Sequence, residues 1–166
     1  RDLLDSARLE SGAIELELKP LDLGALLTDI VDGLRVSHPE ASLTLELAPD
    51  LPLIPADAQR LEGALTNLVE NAIKYSPPGA PITVRAHLLT KVLEVQIQDQ
   101  GRGIPAESLP HVFERFYRVP EAGVLRCAGS GIGLSVVKAT IEAHGGAVDV
   151  TSTVGVGSTF SVRLKL

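Results

Sequence analysis

Asp99 closes the alternating run KVLEVQIQ and is followed by glycines at 101 and 103, in DQGRGIP. A carboxylate at a strand terminus can accept hydrogen bonds from an exocyclic amine, and the glycines let the backbone pass close to a flat ring. Adenine suits such a site; a tight Asp-Gly turn of common type would use the same residues. On the helix that carries LTNLVENAIKYSP, Asn67, Asn71 and Lys74 fall on one side at about 100° per residue, and Leu61, Leu65, Leu68, Val69 and Ala72 on the other. Two carboxamide oxygens one turn apart can hold a magnesium ion with its waters, and Lys74 one turn on can meet a phosphate. A solvated helix face would show the same pattern. A third stretch, GSGIGLS, sets Gly129, Gly131 and Gly133 at the start of a helix, where free amides and the dipole favour an anion. It is not a Walker loop, because no Lys-Ser or Lys-Thr pair follows, and it lacks the dinucleotide spacing. Each signal is weak alone. Taken in order they provide metal, base and phosphate contacts for one nucleotide.

The elements that must position these residues follow from pattern and punctuation. RDLLDSARLESG reads as the last turns of a longer helix, and AIELELKP as a strand. Asp22 caps a helix to about residue 36, with Leu26, Leu27, Ile30, Val31 and Leu34 as its buried face. SLTLELA is a strand, and LPLIPAD leads into a helix from about Asp57 to Tyr75 that SPPGAP stops. PITVRAHL and KVLEVQIQD form an antiparallel hairpin at the centre of a sheet. Residues 101 to 131 are mostly irregular, with a short helical turn around PAESLPHVF, and 117 to 130 reads as a lid that nucleotide would order. IGLSVVKATIEAH is a helix, and AVDVTST and STFSVRLKL close the sheet. The predicted class is α+β, a two-layer sandwich of one mixed five-stranded sheet with three helices on one face and the other face partly open.

With 166 residues and 45% apolar content, the chain fits one domain. No run approaches the roughly 20 apolar residues of a membrane span, and a signal-peptide layout is lacking, so a soluble chain is expected. It begins at Arg1 and has no methionine, which suggests a piece of something longer. The single cysteine, Cys127, points to a reducing, cytoplasmic setting, and its place in the lid is read as chance. His38, His87, His111 and His144 lack zinc spacing. His144 reads as a helix-end residue whose charge the dipole favours. The net charge of −6 disfavours nucleic acid as a partner.

NLVENAIKYSP, DQGRGIP, VFERFYR, GSGIGLS and GVGSTF resemble the N box, first glycine box, F box, second glycine box and final glycine motif of sensor histidine kinases. They occur in the family's order, over roughly residues 13 to 166, and LLDSARLESG is similar to the end of the second dimerisation helix that precedes the ATP-binding domain. The resemblance implies the Bergerat ATP-binding fold, with residues 1 to 12 belonging to the dimerisation helix. It implies that Asn71, helped by Asn67, holds magnesium, and that Lys74 and Arg118 approach the phosphates of ATP. Asp99 would read the adenine amino group, with Tyr75 against the base and Gly101 and Gly103 lining its pocket. Gly129, Gly131 and Gly133 would border the triphosphate, followed by Leu134, and Phe113 and Phe116 would anchor the lid.

In such proteins the γ-phosphoryl passes to a histidine on the dimerisation helices and then to a response regulator. None of the four histidines here has the acceptor context, so the chain is expected to bind ATP without phosphorylating itself and to pair as a homodimer only when longer. An ATP hydrolase of the gyrase and chaperone kind would carry a glutamate where this sequence has Asn67. Glu70 reads as an exposed, ion-pairing residue and not as a catalytic base. A module that binds nucleotide only as an interaction switch is the remaining reading, since fold alone does not exclude it.

Overall fold

The computed structural model describes residues 15 to 120 and 131 to 166. The expected helix end at 1 to 12 and the lid residues 121 to 130, with Gly129 and Cys127, lie outside the described residues. Chain order is β1 (Lys19–Leu21), α1 (Leu23–Ser37), β2 (Ser42–Leu47), β3 (Ile54–Ala56), α2 (Ala58–Tyr75), β4 (Pro81–Leu89), β5 (Val92–Gln98), a 3-10 turn (Leu109–His111), α3 (Gly133–Ala143), β6 (Ala147–Thr153) and β7 (Gly157–Lys165).

Five strands pair in the order β2-β4-β5-β7-β6. Only β2 and β4 run parallel; the other neighbours are antiparallel. Alternation sends Ile82, Val84, Ala86, Leu93, Val95, Ile97, Phe160, Val162 and Leu164 to one face, where all are buried beneath the helices. The opposite face is polar. On it Glu94, only 5% exposed, accepts from Arg163 Nε at 2.9 Å and Gln96 Nε2 at 3.0 Å, and pairs with His87 at 3.2 Å. Burial of that carboxylate is tolerated because both of its oxygens are engaged.

Each long helix starts where an aspartate offers its side chain to an amide. Asp22 accepts from Ala25 N at 3.0 Å and Asp57 from Arg60 N at 3.1 Å. α1 buries Leu23, Leu27, Ile30, Val31 and Leu34, while Leu26 is only half-buried. α2 buries Leu61, Ala64, Leu65, Leu68, Val69 and Ala72, which leaves Asn67, Asn71 and Lys74 on the other side.

The strand expected at AIELELKP is reduced to Lys19–Leu21, which pairs with Ile54–Ala56 as a separate two-stranded ribbon. That partner was hidden in LPLIPAD by its prolines. Pro20 lies opposite Pro55, neither can donate to a ladder, and Asp57 turns the chain into α2, so the ribbon grows no longer.

Candidate nucleotide site

The site forms where the C-terminal end of β5, the C-terminal half of α2, the start of α3 and the turn between β6 and β7 meet. Asp99 is 7% exposed, and its Oδ1 accepts from Gly101 N at 2.7 Å and Ser158 N at 3.2 Å. Both described donors use the same oxygen, so Oδ2 is the acceptor left for a ligand. Burial pushes this carboxyl above its ordinary value, and the two amides partly offset that.

The loop after Asp99 is held on two sides. Arg102 N donates to Tyr75 O at 3.3 Å, Gly155 N to Arg102 O at 2.8 Å, and Ile104 N to Ser152 Oγ at 2.8 Å. A Cβ on Gly101 would stand 2.5 Å from Tyr75 O and 2.8 Å from Asp99 Oδ1, so glycine is required by space. Gly103 lies against Thr153 in the same way. The side chain of Tyr75, half-buried, has Lys74 Nζ 5.0 Å and the Arg102 guanidinium 4.7 Å from its ring centre.

On α2, Asn71 Nδ2 donates to Asn67 Oδ1 at 3.1 Å, so the expected carboxamide pair is present. α3 begins against it: a Cβ on Gly133 would lie 2.8 Å from Asn67 Nδ2. The N-cap, Ile132, gives no side-chain hydrogen bond, which leaves the first amides of α3 without a side-chain cap. Gly131 turns the chain into this helix at φ +70°, and Leu134 packs half-buried against the core.

The F-box residues divide. Phe113 packs edge-on to Phe160, with ring centres 6.2 Å apart. Phe116 does not anchor through its ring, which is 69% exposed; its amide donates to Gly131 O at 2.9 Å, and that bond closes the base of the loop. Arg118 is exposed two residues beyond. The structure therefore brings Asn67, Asn71 and Gly133 together at one point and Tyr75, Gly101 and Asp99 at another, with α2 carrying Asn67, Asn71 and Tyr75 in common, and sets Lys74 and Arg102 over the Tyr75 ring.

Ser158, Ser152 and Arg102 carried no role in the sequence reading. The first two belong to the β6–β7 hairpin, where Ser152 Oγ donates to Gly157 O at 2.9 Å and lies 2.9 Å from Ser158 Oγ. The available signal was GVGSTF itself, a glycine turn that must pack on something.

His144 also differs from expectation. Its Nε2 accepts from Asp57 N at 3.0 Å and its Nδ1 faces Thr140 O at 2.8 Å. An amide can only donate, so Nε2 carries no proton, and the ring joins two helices as a neutral group.

Residues 56 to 166 match the family described as histidine kinase-, DNA gyrase B-, and HSP90-like ATPases. The probable sensor histidine kinase TcrY of Mycobacterium tuberculosis is 39% identical over 99% of this chain and 34% of its own length. The chain thus spans about a third of that relative. The crystal structure of full-length ShkA in complex with AMPPNP superposes with a TM-score of 0.85, at 29% identity, over 98% of this chain and 34% of that one. The mycobacterial sensor histidine kinase MprB gives 0.76 at 30% identity, over 89% of this chain and 97% of that one. With the carboxamide pair packed against the glycine-led helix and a buried aspartate at the strand end, this chain belongs to the histidine kinase-, DNA gyrase B- and HSP90-like ATPase family, as an ATPase domain of the sensor histidine kinase kind.

Proposed function

We propose that this domain binds Mg-ATP and donates the γ-phosphoryl group to a histidine on a dimerisation domain of the same protein, from which a response regulator takes it. The observation that carries the reading is Asp99: a buried carboxylate with both amide donors on Oδ1, at the end of a strand and beneath a glycine that cannot bear a side chain. Its second oxygen would accept the adenine amino group, and Tyr75 would flank the base.

Magnesium fits the donors present. Among the described residues no group of three or more His, Cys, Asp or Glu side chains could hold a metal, whereas Asn67 and Asn71 offer hard carboxamide oxygens one turn apart. When bound, the ion would neutralise charge on the phosphates. Gly133 keeps the start of α3 close enough to Asn67 for its amides to share the same phosphates. Lys74 and Arg118 would contribute positive charge, and Gly129 a further turn of the loop. Asn67 has no carboxylate with which to activate water, which favours transfer to a protein over hydrolysis.

Residues 1 to 12 would be the end of the dimerisation helix, and the full-length protein a homodimer whose ATPase domain works in the cytoplasm without nucleic acid. No helix among the described residues is long and apolar enough to cross a membrane. Calorimetric titration with a nonhydrolysable ATP analogue, with and without magnesium, tests the site. Phosphoryl transfer to an added dimerisation domain then tests the reaction. Absence of magnesium-dependent binding refutes the nucleotide reading, and ATP turnover without an acceptor refutes transfer to protein.

A further inference from the structure

α2 and α3 lie antiparallel, and the contacts at their two ends have different chemistry. At the site end Gly133 meets the Asn67 carboxamide. At the far end His144, the residue after α3, accepts the backbone amide of Asp57, the N-cap of α2. Between them the contact is apolar, with Val137 and Ile141 wholly buried. Apolar burial is non-directional and holds helices together more firmly than it fixes their position along the axis. A hydrogen bond from a fixed amide to a ring nitrogen does fix that position.

The ring is itself fixed. Nδ1 points at Thr140 O one turn back, so its proton is placed there and Nε2 is left as the acceptor. Asp57 is equally constrained. Its carboxylate accepts from Arg60 N at 3.1 Å and from Glu17 N at 3.1 Å, which ties the chain leading into β1 to the same point. The charged groups around the junction are Asp57, Arg60, and the Glu17–Lys19 pair at 2.7 Å.

We propose that His144 is a positioning residue for the nucleotide site: by accepting the Asp57 amide it sets the axial register of α3 on α2, and so holds the Gly133 amide end against Asn67. The proposal rests on the nucleotide reading above for its ligand. It does not rest on that reading for the register itself.

The test uses the 15N-labelled chain with His144→Ala and His144→Gln. Glutamine can present a carbonyl oxygen where Nε2 stands; alanine cannot. In the wild type, imidazole spectra should show a neutral ring protonated on Nδ1. The Gly133 amide resonance should move in H144A and stay at the wild-type position in H144Q. Affinity for magnesium AMPPNP should fall about tenfold in H144A and stay within about twofold in H144Q, the size expected for one directional hydrogen bond. Shifts confined to the neighbourhood of Asp57 and residues 140 to 147, with Gly133 and affinity unchanged, overturn the proposal, as does an H144Q that behaves like H144A. If H144A does not fold, His144→Phe keeps the ring and removes the acceptor, and carries the same expectation. If the wild type fails to bind the analogue, the nucleotide reading falls, while the Gly133 resonance still decides whether His144 sets the register.

Discussion

Replacing Asp99 by asparagine separates what this residue does for the fold from what it does for the ligand. Gly101 N and Ser158 N both donate to Oδ1, at 2.7 and 3.2 Å, and an asparagine carbonyl can accept both. The substitution then puts an NH2 group in the place of Oδ2, the oxygen that the described donors leave free. For adenine, a hydrogen bond to a charged acceptor is lost, worth about 1.5–3 kcal/mol, and at about 1.4 kcal/mol per tenfold this is roughly a 10- to 100-fold weaker Kd. Donor facing donor pushes the result toward the upper end. For the unliganded fold the change runs the other way, because burial raises the carboxyl's pKa above its ordinary 3.8, so the ionised form is the one the fold disfavours. A raised carboxylate pKa means a stabilising contribution that is complete below 3.8 and is lost as pH rises through the higher folded value. D99N should therefore match or exceed the wild-type Tm at neutral pH, and any advantage should vanish in acid. Calorimetry and thermal unfolding across pH check both halves. A Kd within about twofold of wild type, or a lower Tm at neutral pH, would refute the reasoning.

Gly101→Ala forces a Cβ to within 2.5 Å of Tyr75 O, so stability should fall by about 1–3 kcal/mol in denaturant titration, with nucleotide binding lost as the loop shifts. Asp57→Ala removes the α2 cap and should cost about 0.5–2 kcal/mol at neutral pH. Desolvation pushes the Asp57 pKa up, but the backbone amides of Arg60 and Glu17 and the Arg60 guanidinium outweigh it. The net shift is downward, so the wild-type advantage over Asp57→Ala should hold above the ordinary value of 3.8 and shrink as pH falls through the lower folded value. Arg118→Ala should weaken a triphosphate analogue more than ADP; equal losses for both would remove Arg118 from the γ-phosphate.

The main sheet and all three described helices were legible because their signals are local: alternation in SLTLEL and VLEVQIQ, and aspartates before each of the two long helices. What was not legible depended on pairing across the chain. Ile54–Ala56 carries prolines that suppress the strand pattern, and only its partner Lys19–Leu21 makes it one. His144 was read from the dipole of its own helix, whereas its environment is set by an amide 87 residues away in sequence. The glycine boxes announced turns, but not that the 155–158 turn would supply an amide to Asp99.

A further regularity ties fold to function. Several features cost the fold something: the buried Asp99 carboxylate, the hydroxyls of Ser76 and Ser108, which are buried without a partner among the described residues, and Phe116, 69% exposed at φ +63°. Glu94 is just as buried, but it lies elsewhere on the sheet and is fully engaged by Arg163, Gln96 and His87. Asp50 and Thr90, the other described non-glycine residues at positive φ, sit in turns between elements. A sequence selected only for stability would pair or neutralise Asp99 as it pairs Glu94. Leaving one oxygen of a buried carboxylate without a donor makes sense only if a ligand completes it, and this is why Asp99, more than the glycines around it, carries the functional argument.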